Sequence, residues 1–214
     1  LRPWGSAGQL AIPVVACEDY YEVHGREWER FALLKARPVA GDRDLGTNLL
    51  HSLKPFMYRK YLDFGVFESI RDLKSKIETE VRRNGRDQNV KVGRGGIREI
   101  EFIVQSMQLL RGGQIPTLQV TGFLEALSAL VDESILTTDD GRQLREDYLW
   151  LRHVEHVIQA ESDQQTQELP ADCGPLAAVL GFESADQFET VRRKVTDRVH
   201  EAFVSFMRVE QPVE

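Results

Sequence analysis

The sequence predicts a mainly α fold, a helical bundle, on three observations. Apolar residues recur at steps of three and four along most of the chain, and alternating strand patterns are nearly missing. Over 214 residues, 42% are hydrophobic and 29% charged, an ordinary globular composition with enough apolar material for a real core.

Taken in order, the chain opens on "LRPWGSAGQL", a compact phrase that does not start at methionine and reads as a piece of something longer. "QLAIPVV" (9–15) is one of the two best strand patterns; the other is "NVKVG" (89–93). Residues 17–37 read as two short helices broken at Gly25, anchored by Tyr20, Tyr21, Trp28, Phe31 and Leu34. Pro38 and Gly41 close that segment. The expected boundary falls there, with residues 1–40 the C-terminal remnant of a mixed domain and 41–214 a helical bundle domain.

Leu49, Leu50, Leu53, Phe56 and Met57 form the next helical stripe, and Phe64, Phe67, Ile70, Leu73, Ile77 and Val81 a longer one. "GFLEALSALVDESIL" (122–136) is helical. A long helix follows, with Asp139 or Asp140 as its cap and Leu144, Tyr148, Leu151 and Ile158 on its buried face. "ELPADCGP" (168–175) reads as a loop by its prolines and glycine, and the last helix runs through Phe188, Val191, Val195, Phe203 and Phe206.

Charge and cysteine usage exclude several functions. A net charge of −7 argues against a protein that grips a nucleic-acid backbone over a wide surface. The basic clusters "YRKY" (58–61) and "EVRRNGR" (80–86) have acids close by and read as solvated helix surface. Cys17 and Cys173 stand far apart with no zinc-ligand spacing, which fits a reducing, cytoplasmic setting. No stretch approaches the ~18 apolar residues of a membrane span, and no signal peptide is evident, so no membrane partner is expected.

The stretch that carries chemistry is "KVGRGGIREIEFIVQ" (91–105). On a helix starting near Gly96, Ile97, Ile100, Ile103, Val104, Met107 and Leu110 make one apolar stripe, widened by Phe102 and Leu109. Arg98, Glu101, Gln105 and Gln108 form a narrow polar line along this otherwise apolar rod, and such a line faces a cleft or a buried polar partner. Glycines at 93, 95 and 96 precede the helix N-terminus, where backbone N–H groups and the helix dipole favour an anion, and Lys91, Arg94 and Arg98 add positive charge. The arrangement suggests a phosphate or carboxylate site. Gly-Gly before a helix also serves as turn chemistry, and Arg98 with Glu101 is also an i, i+3 pair of a few tenths of a kcal/mol. The spacing is neither a Walker A loop nor a dinucleotide fingerprint. His153 and His156, three apart around Glu155, lack metal partners elsewhere and read as a surface helix; His24 and His51 show no partner, and no Ser or Cys sits in a nucleophile motif.

"KVGRGGIREIEFIVQSMQLLRGG" resembles the K-x-G-x-G-G-I-R-E-I-E-F-x-x-Q segment of the bifunctional glutamine synthetase adenylyltransferase and adenylyl-removing enzymes. "LRPWGSAGQL", "WERFALLKARPVAGD" and "DQQTQELP" agree in order, so the resemblance covers most of the chain. It implies nucleotidyltransferase domains of DNA polymerase beta type, each followed by a helical domain, and makes residues 1–40 the remnant of such a domain. "GGIREIEF" and "DQQTQELP" are similar to the N-terminal half, which removes AMP. The implied reaction is phosphorolysis: phosphate attacks the AMP-tyrosine bond on glutamine synthetase, releasing ADP and the free tyrosine.

The resemblance implies magnesium as cofactor, ATP or ADP and phosphate as substrates or products, and glutamine synthetase and the PII signalling protein as partners. Its metal-holding carboxylates stand upstream of L-R-P, so no catalytic and no metal residue is expected within this chain. Lys91, Gly95, Gly96, Arg98, Glu99 and Glu101 are expected to line a nucleotide or phosphate cleft, with Arg2 facing it from the other side; either glutamate alternatively serves only to hold Arg98. A second reading is a helical docking or regulatory module for glutamine synthetase or PII. A third is the related PII uridylyltransferase, which carries a similar Gly-Gly-x-Arg phrase.

Overall fold

The computed structural model describes residues 2–58, 88–162 and 165–209. Among them are nine α-helices and no strand: α1 (Val14–Val23), α2 (Glu27–Leu33), α3 (Arg43–Ser52), α4 (Lys54–Met57), α5 (Ile97–Arg111), α6 (Phe123–Asp132), α7 (Thr138–Ser162), α8 (Gly174–Val179) and α9 (Ala185–Val209). The expected mainly α bundle is what forms. The stripe from Phe64 to Val81 and most of the two basic clusters lie outside the described residues. No described helix is long and apolar enough to cross a membrane.

Two compact units divide the chain, Leu1–Ile70 with Val104–Ile135, and Arg71–Ile103 with Leu136–Glu214. Residue 40, where the sequence places a domain boundary, lies within the first unit between α2 and α3.

In the first unit the break at Gly25 is real, and it has a packing reason. A Cβ there would stand 2.5 Å from the Phe56 ring and 2.6 Å from the Tyr21 carbonyl, so only glycine lets α1 turn into α2 against α4. The core gathers Tyr20, Tyr21, Leu33, Leu34, Leu53, Met57, Tyr58 and Leu109. Tyr20 and Tyr21 meet edge to face at 5.1 Å, a geometry worth about 1 kcal/mol beyond burial. Burial alone pushes the Tyr58 phenol up to about 12.

This core also encloses two charges. Arg30, 1% exposed, donates from Nε (3.0 Å) and Nη2 (2.8 Å) to the Met57 carbonyl and pairs with Glu27, which closes the C-terminus of α4. Glu29, also 1% exposed, accepts the Tyr20 hydroxyl at 3.2 Å and the Arg26 N–H at 2.9 Å. Glu29 and Arg30 of "WERFALLKAR" are therefore interior struts, whereas Lys35 and Arg37 are exposed. Asp42 caps α3 by accepting the Leu45 N–H at 2.9 Å, worth about 1 kcal/mol. In the same unit Gln108 donates to the carbonyls of Leu118 (2.8 Å) and Val120 (2.9 Å), so this member of the polar line serves the turn before α6.

In the second unit α7, α8 and α9 pack on one another, and the start of α5 lies against α9. Ile97, Ile100, Phe102, Ile103, Leu151, Val154, Ile158, Phe188, Val199 and Phe203 are buried, and Phe102 meets Phe203 edge to face at 5.6 Å. Asp147 of α7 is held by a two-pronged contact from Arg198 of α9, which satisfies a buried carboxylate that would otherwise be costly.

Three local expectations change. The cap of α7 is Thr137, whose hydroxyl accepts the Asp140 N–H at 3.1 Å and donates to the Asp140 carboxylate at 2.7 Å. Asp140 sits at the third helical position, where its N–H donates to the cap hydroxyl and its carboxylate accepts from that hydroxyl, and it is not itself the cap. Gly174 and Pro175, read as loop, begin α8, because proline is preorganised for the first helical turn. Neither strand pattern becomes a strand: Val14 and Val15 start α1, and Asn89 makes only an isolated antiparallel bridge with Glu168.

Candidate functional site

The residues before α5 curl into a loop tied down at both ends. Val90 N–H donates to the Gln167 carbonyl at 2.9 Å, and Leu169 N–H to the Gln88 carbonyl at 2.8 Å, setting the loop beside 167–169. Asn89 uses its whole amide. Its Nδ2 donates to Glu168 Oε1 at 2.8 Å, while its Oδ1 accepts the N–H groups of Lys91 (3.0 Å) and Val92 (2.9 Å) and starts an Asx turn.

The loop then caps the helix it precedes. Ile97 N–H donates to Val90 O at 3.2 Å, Arg98 N–H to Lys91 O at 2.9 Å, and Glu99 N–H to Gly96 O at 3.0 Å. These are the first N–H groups of α5, which the sequence reading left free for an anion. They are satisfied internally instead, as buried backbone donors require. The glycines answer to the same packing. Gly95 has φ +67, and a Cβ on it would lie 1.9 Å from the Thr196 carbonyl oxygen of α9; one on Gly96 would lie 2.6 Å from Val90 O and 2.8 Å from Lys91 O.

What the loop leaves outward is side chain. Lys91 and Arg98, whose backbones share one hydrogen bond, both line a cleft of about 390 Å³ with Asn89, Val92 and residues 165–168. Among the described residues Lys91 makes no ion pair, and the Glu168 carboxylate on the same wall accepts from Asn89. Thr166 contributes a hydroxyl that accepts the Glu168 N–H at 3.3 Å. Two cations, carboxamides and a hydroxyl on one open polar wall suit an oxyanion. The "KVGRGGIRE" and "QTQE" phrases, more than 70 residues apart, form this one surface.

The glutamates turn elsewhere. Glu99, buried, stands with its carboxylate oxygens 3.1 Å and 3.2 Å from His200 Nδ1 of α9. Burial pushes its carboxyl above the usual range, against the opposing pull of His200, Gly95 N–H and Arg94. Glu101 lies near Tyr148 of α7; burial first, then Glu101 and Glu155, raise that phenol, and Arg152 opposes them. Arg2 belongs to the first unit, where its Nε donates to Gly5 O at 2.6 Å. His200 escaped the sequence reading because no motif surrounds it and its partner is 101 residues away. His153 and His156 are exposed on α7, His156 lying 3.3 Å from Arg152 Nη2. Among the described residues no group of three or more His, Cys, Asp or Glu is placed to hold a metal ion.

Residues 71–207 match the family model described as GlnD PII-uridylyltransferase, and residues 1–52 the model described as glutamate-ammonia ligase adenylyltransferase. The chain is 49% identical over 219 residues to a Hahella chejuensis protein, covering 100% of this chain and 23% of that protein. It is 48% identical over 191 residues to one from Pseudomonas putida (88% and 20%) and 40% identical over 209 residues to one from Idiomarina loihiensis (98% and 22%). All three carry the name bifunctional glutamine synthetase adenylyltransferase/adenylyl-removing enzyme, and the chain spans about a fifth of their length. With one family model covering more than half of its residues, the chain belongs to the nucleotidyltransferase family that the GlnD PII-uridylyltransferase model describes and, within it, groups with the bifunctional glutamine synthetase adenylyltransferase/adenylyl-removing enzymes.

Proposed function

We propose that this chain is part of an enzyme that regulates glutamine synthetase by reversible adenylylation, from the half that removes AMP by phosphorolysis, and that its 91–98 loop binds phosphate, free or on a nucleotide. The observation that carries the reading is the cleft in which Lys91 and Arg98 stand beside residues 165–168. On this reading residues 1–40 end a nucleotidyltransferase domain and 41–214 are the helical bundle beside it. Magnesium is held by carboxylates outside this chain and supplies charge stabilisation at the adenylyl phosphorus. The chain's own residues hold an oxyanion by charge-assisted hydrogen bonds, and Asn89 keeps the two wall segments in register.

The test assays ADP release from adenylylated glutamine synthetase with phosphate and magnesium, using this chain and a longer form that restores the upstream acidic residues. Activity in the longer form alone is expected. There, Lys91→Ala and Arg98→Ala should each raise the KM for phosphate by about tenfold, the effect of one charge-assisted contact of about 1.5 kcal/mol. Phosphorolysis by the chain alone, or an unchanged KM in both variants, would overturn the reading.

A second reading makes the chain a docking or regulatory module for glutamine synthetase or a PII protein, without activity of its own. The large apolar side chains left exposed on the first unit, Trp4, Leu10 (91% exposed), Trp28 and Val39 among them, favour it. Retention of the chain on immobilised glutamine synthetase or PII, lost on Leu10→Asp with Trp28→Asp, would support this alternative.

A further inference from the structure

The second unit holds a contact whose purpose packing alone does not supply. Three successive contacts fasten the glycine turn to α9: Gly95 lies against the Thr196 carbonyl, Arg94 pairs with Asp197, and Glu99 joins His200. The first leaves no space for a side chain, and the second is exposed at both ends, at 52% and 57%. The third is different. Glu99 and His200 are largely buried, and the carboxylate that meets His200 Nδ1 at 3.1 Å belongs to the residue directly after Arg98. Held by this ring, the carboxylate ties the first turn of α5 to α9.

The glycine turn determines where the cleft's cations stand. Lys91 precedes it and Arg98 follows it, and the Arg98 N–H to Lys91 O bond locks the two backbones together across it. We infer that His200 is a positioning residue for the anion cleft, acting through Glu99 at the first turn of α5 to hold Lys91 and Arg98 at one spacing. Residues elsewhere on α9 do not substitute for it. Arg94 and Asp197 are solvated, and an exposed pair of this kind contributes little rigidity. Phe203, whose ring lies 6.4 Å from the His200 ring, supports the imidazole from the side without reaching the turn. An ionised Glu99 can only accept, so it selects the tautomer with the proton on Nδ1 and orients the ring, as a positioning role requires.

The inference rests on the reading of the cleft as an anion site, and the experiment separates the two. Inorganic phosphate is titrated into the chain, with binding read from the amide resonances of residues 91–98. Variants are Lys91→Ala, His200→Ala and His200→Asn, each followed also by thermal unfolding. The asparagine amide nitrogen occupies the place of Nδ1 and keeps the donor.

Lys91→Ala is expected to weaken phosphate binding by about tenfold and His200→Ala by about fivefold, while His200→Asn returns to within about twofold of the parent. The Arg98 amide, which donates to Lys91 O, should exchange faster with solvent in His200→Ala than in His200→Asn. A purely packing role would lower the unfolding temperature of both His200 variants and leave the phosphate affinity of the folded chains unmoved. Lost binding in Lys91→Ala beside unchanged binding in His200→Ala overturns the positioning role and leaves the cleft standing. Unchanged binding in Lys91→Ala overturns the cleft and this inference with it. Should His200→Ala not fold, Glu99→Ala, which removes the acceptor, gives the same readout: about fivefold weaker binding is expected, and unchanged affinity overturns the role.

Discussion

Two glycines with left-handed backbones separate conformational demand from spatial demand. Gly41 (φ +73) has nothing within 4 Å of a built Cβ, whereas Gly95 (φ +67) would place its Cβ 1.9 Å from the Thr196 carbonyl oxygen. Gly41→Ala should therefore cost only the left-handed penalty, about 1–2 kcal/mol. Gly95→Ala carries the same penalty and must also push the turn away from α9. It should cost at least about 1 kcal/mol more than Gly41→Ala and shift the 91–98 amide resonances. Urea unfolding of both variants checks this, and equal losses would mean that the turn yields without cost. The glycines at 93, 95 and 96 were visible in the sequence; that Gly95 answers to a carbonyl of α9 was not, because Thr196 is about a hundred positions away.

Among the elements, α7 shows how a helix start is readable yet misassigned by a few residues. "TTDDG" offers four plausible capping side chains, and spacing to the apolar face does not choose among them. The structure selects Thr137, whose hydroxyl bonds both the N–H and the carboxylate of Asp140 three residues on. Thr137→Ala should lower stability by about 1 kcal/mol, and Asp140→Ala by less, since its carboxylate only returns a bond to the cap and complements the dipole. Chemical denaturation of the two variants measures the difference, and a larger loss for Asp140→Ala would restore the aspartate as the cap. α5 was legible for a stronger reason, its apolar stripe of Ile97, Ile100, Ile103 and Val104, all buried. Its polar line was legible as a line but not in its partners. Gln108 serves carbonyls of the turn before α6, and Glu101 stands near Tyr148. Periodicity states which residues share a face, whereas the opposing element states what that face meets.

Across the whole molecule, Asn89 is the residue on which two distant motifs depend. Its amide joins Glu168, 79 residues away, to the Lys91 and Val92 N–H groups. Asn89→Ala removes three hydrogen bonds and should cost about 2–4 kcal/mol, with loss of phosphate binding in the folded variant. Asn89→Asp keeps the acceptor for the two N–H groups but sets a second carboxylate against Glu168, so it should retain the turn and still weaken anion binding. Denaturant unfolding together with phosphate titration tests both variants, and full retention of binding in Asn89→Ala would show that the two walls keep their register without it.

The sequence by itself determined the helical class, the order of most elements and the family, because helical periodicity is local and the phrases "KVGRGGIREIEF", "WERFALLKARPVAGD" and "DQQTQELP" are specific strings. It also marked Lys91, Arg94 and Arg98 as the positive charges around a glycine turn. Only the tertiary structure decided that the first N–H groups of α5 are spent on loop carbonyls, that residues 165–168 form the facing wall, and that Glu99 joins His200. The physical reason is that hydrogen bonds and ion pairs are satisfied in space, by whichever donor or acceptor the packed helices bring within about 3 Å, and sequence separation carries no record of that distance.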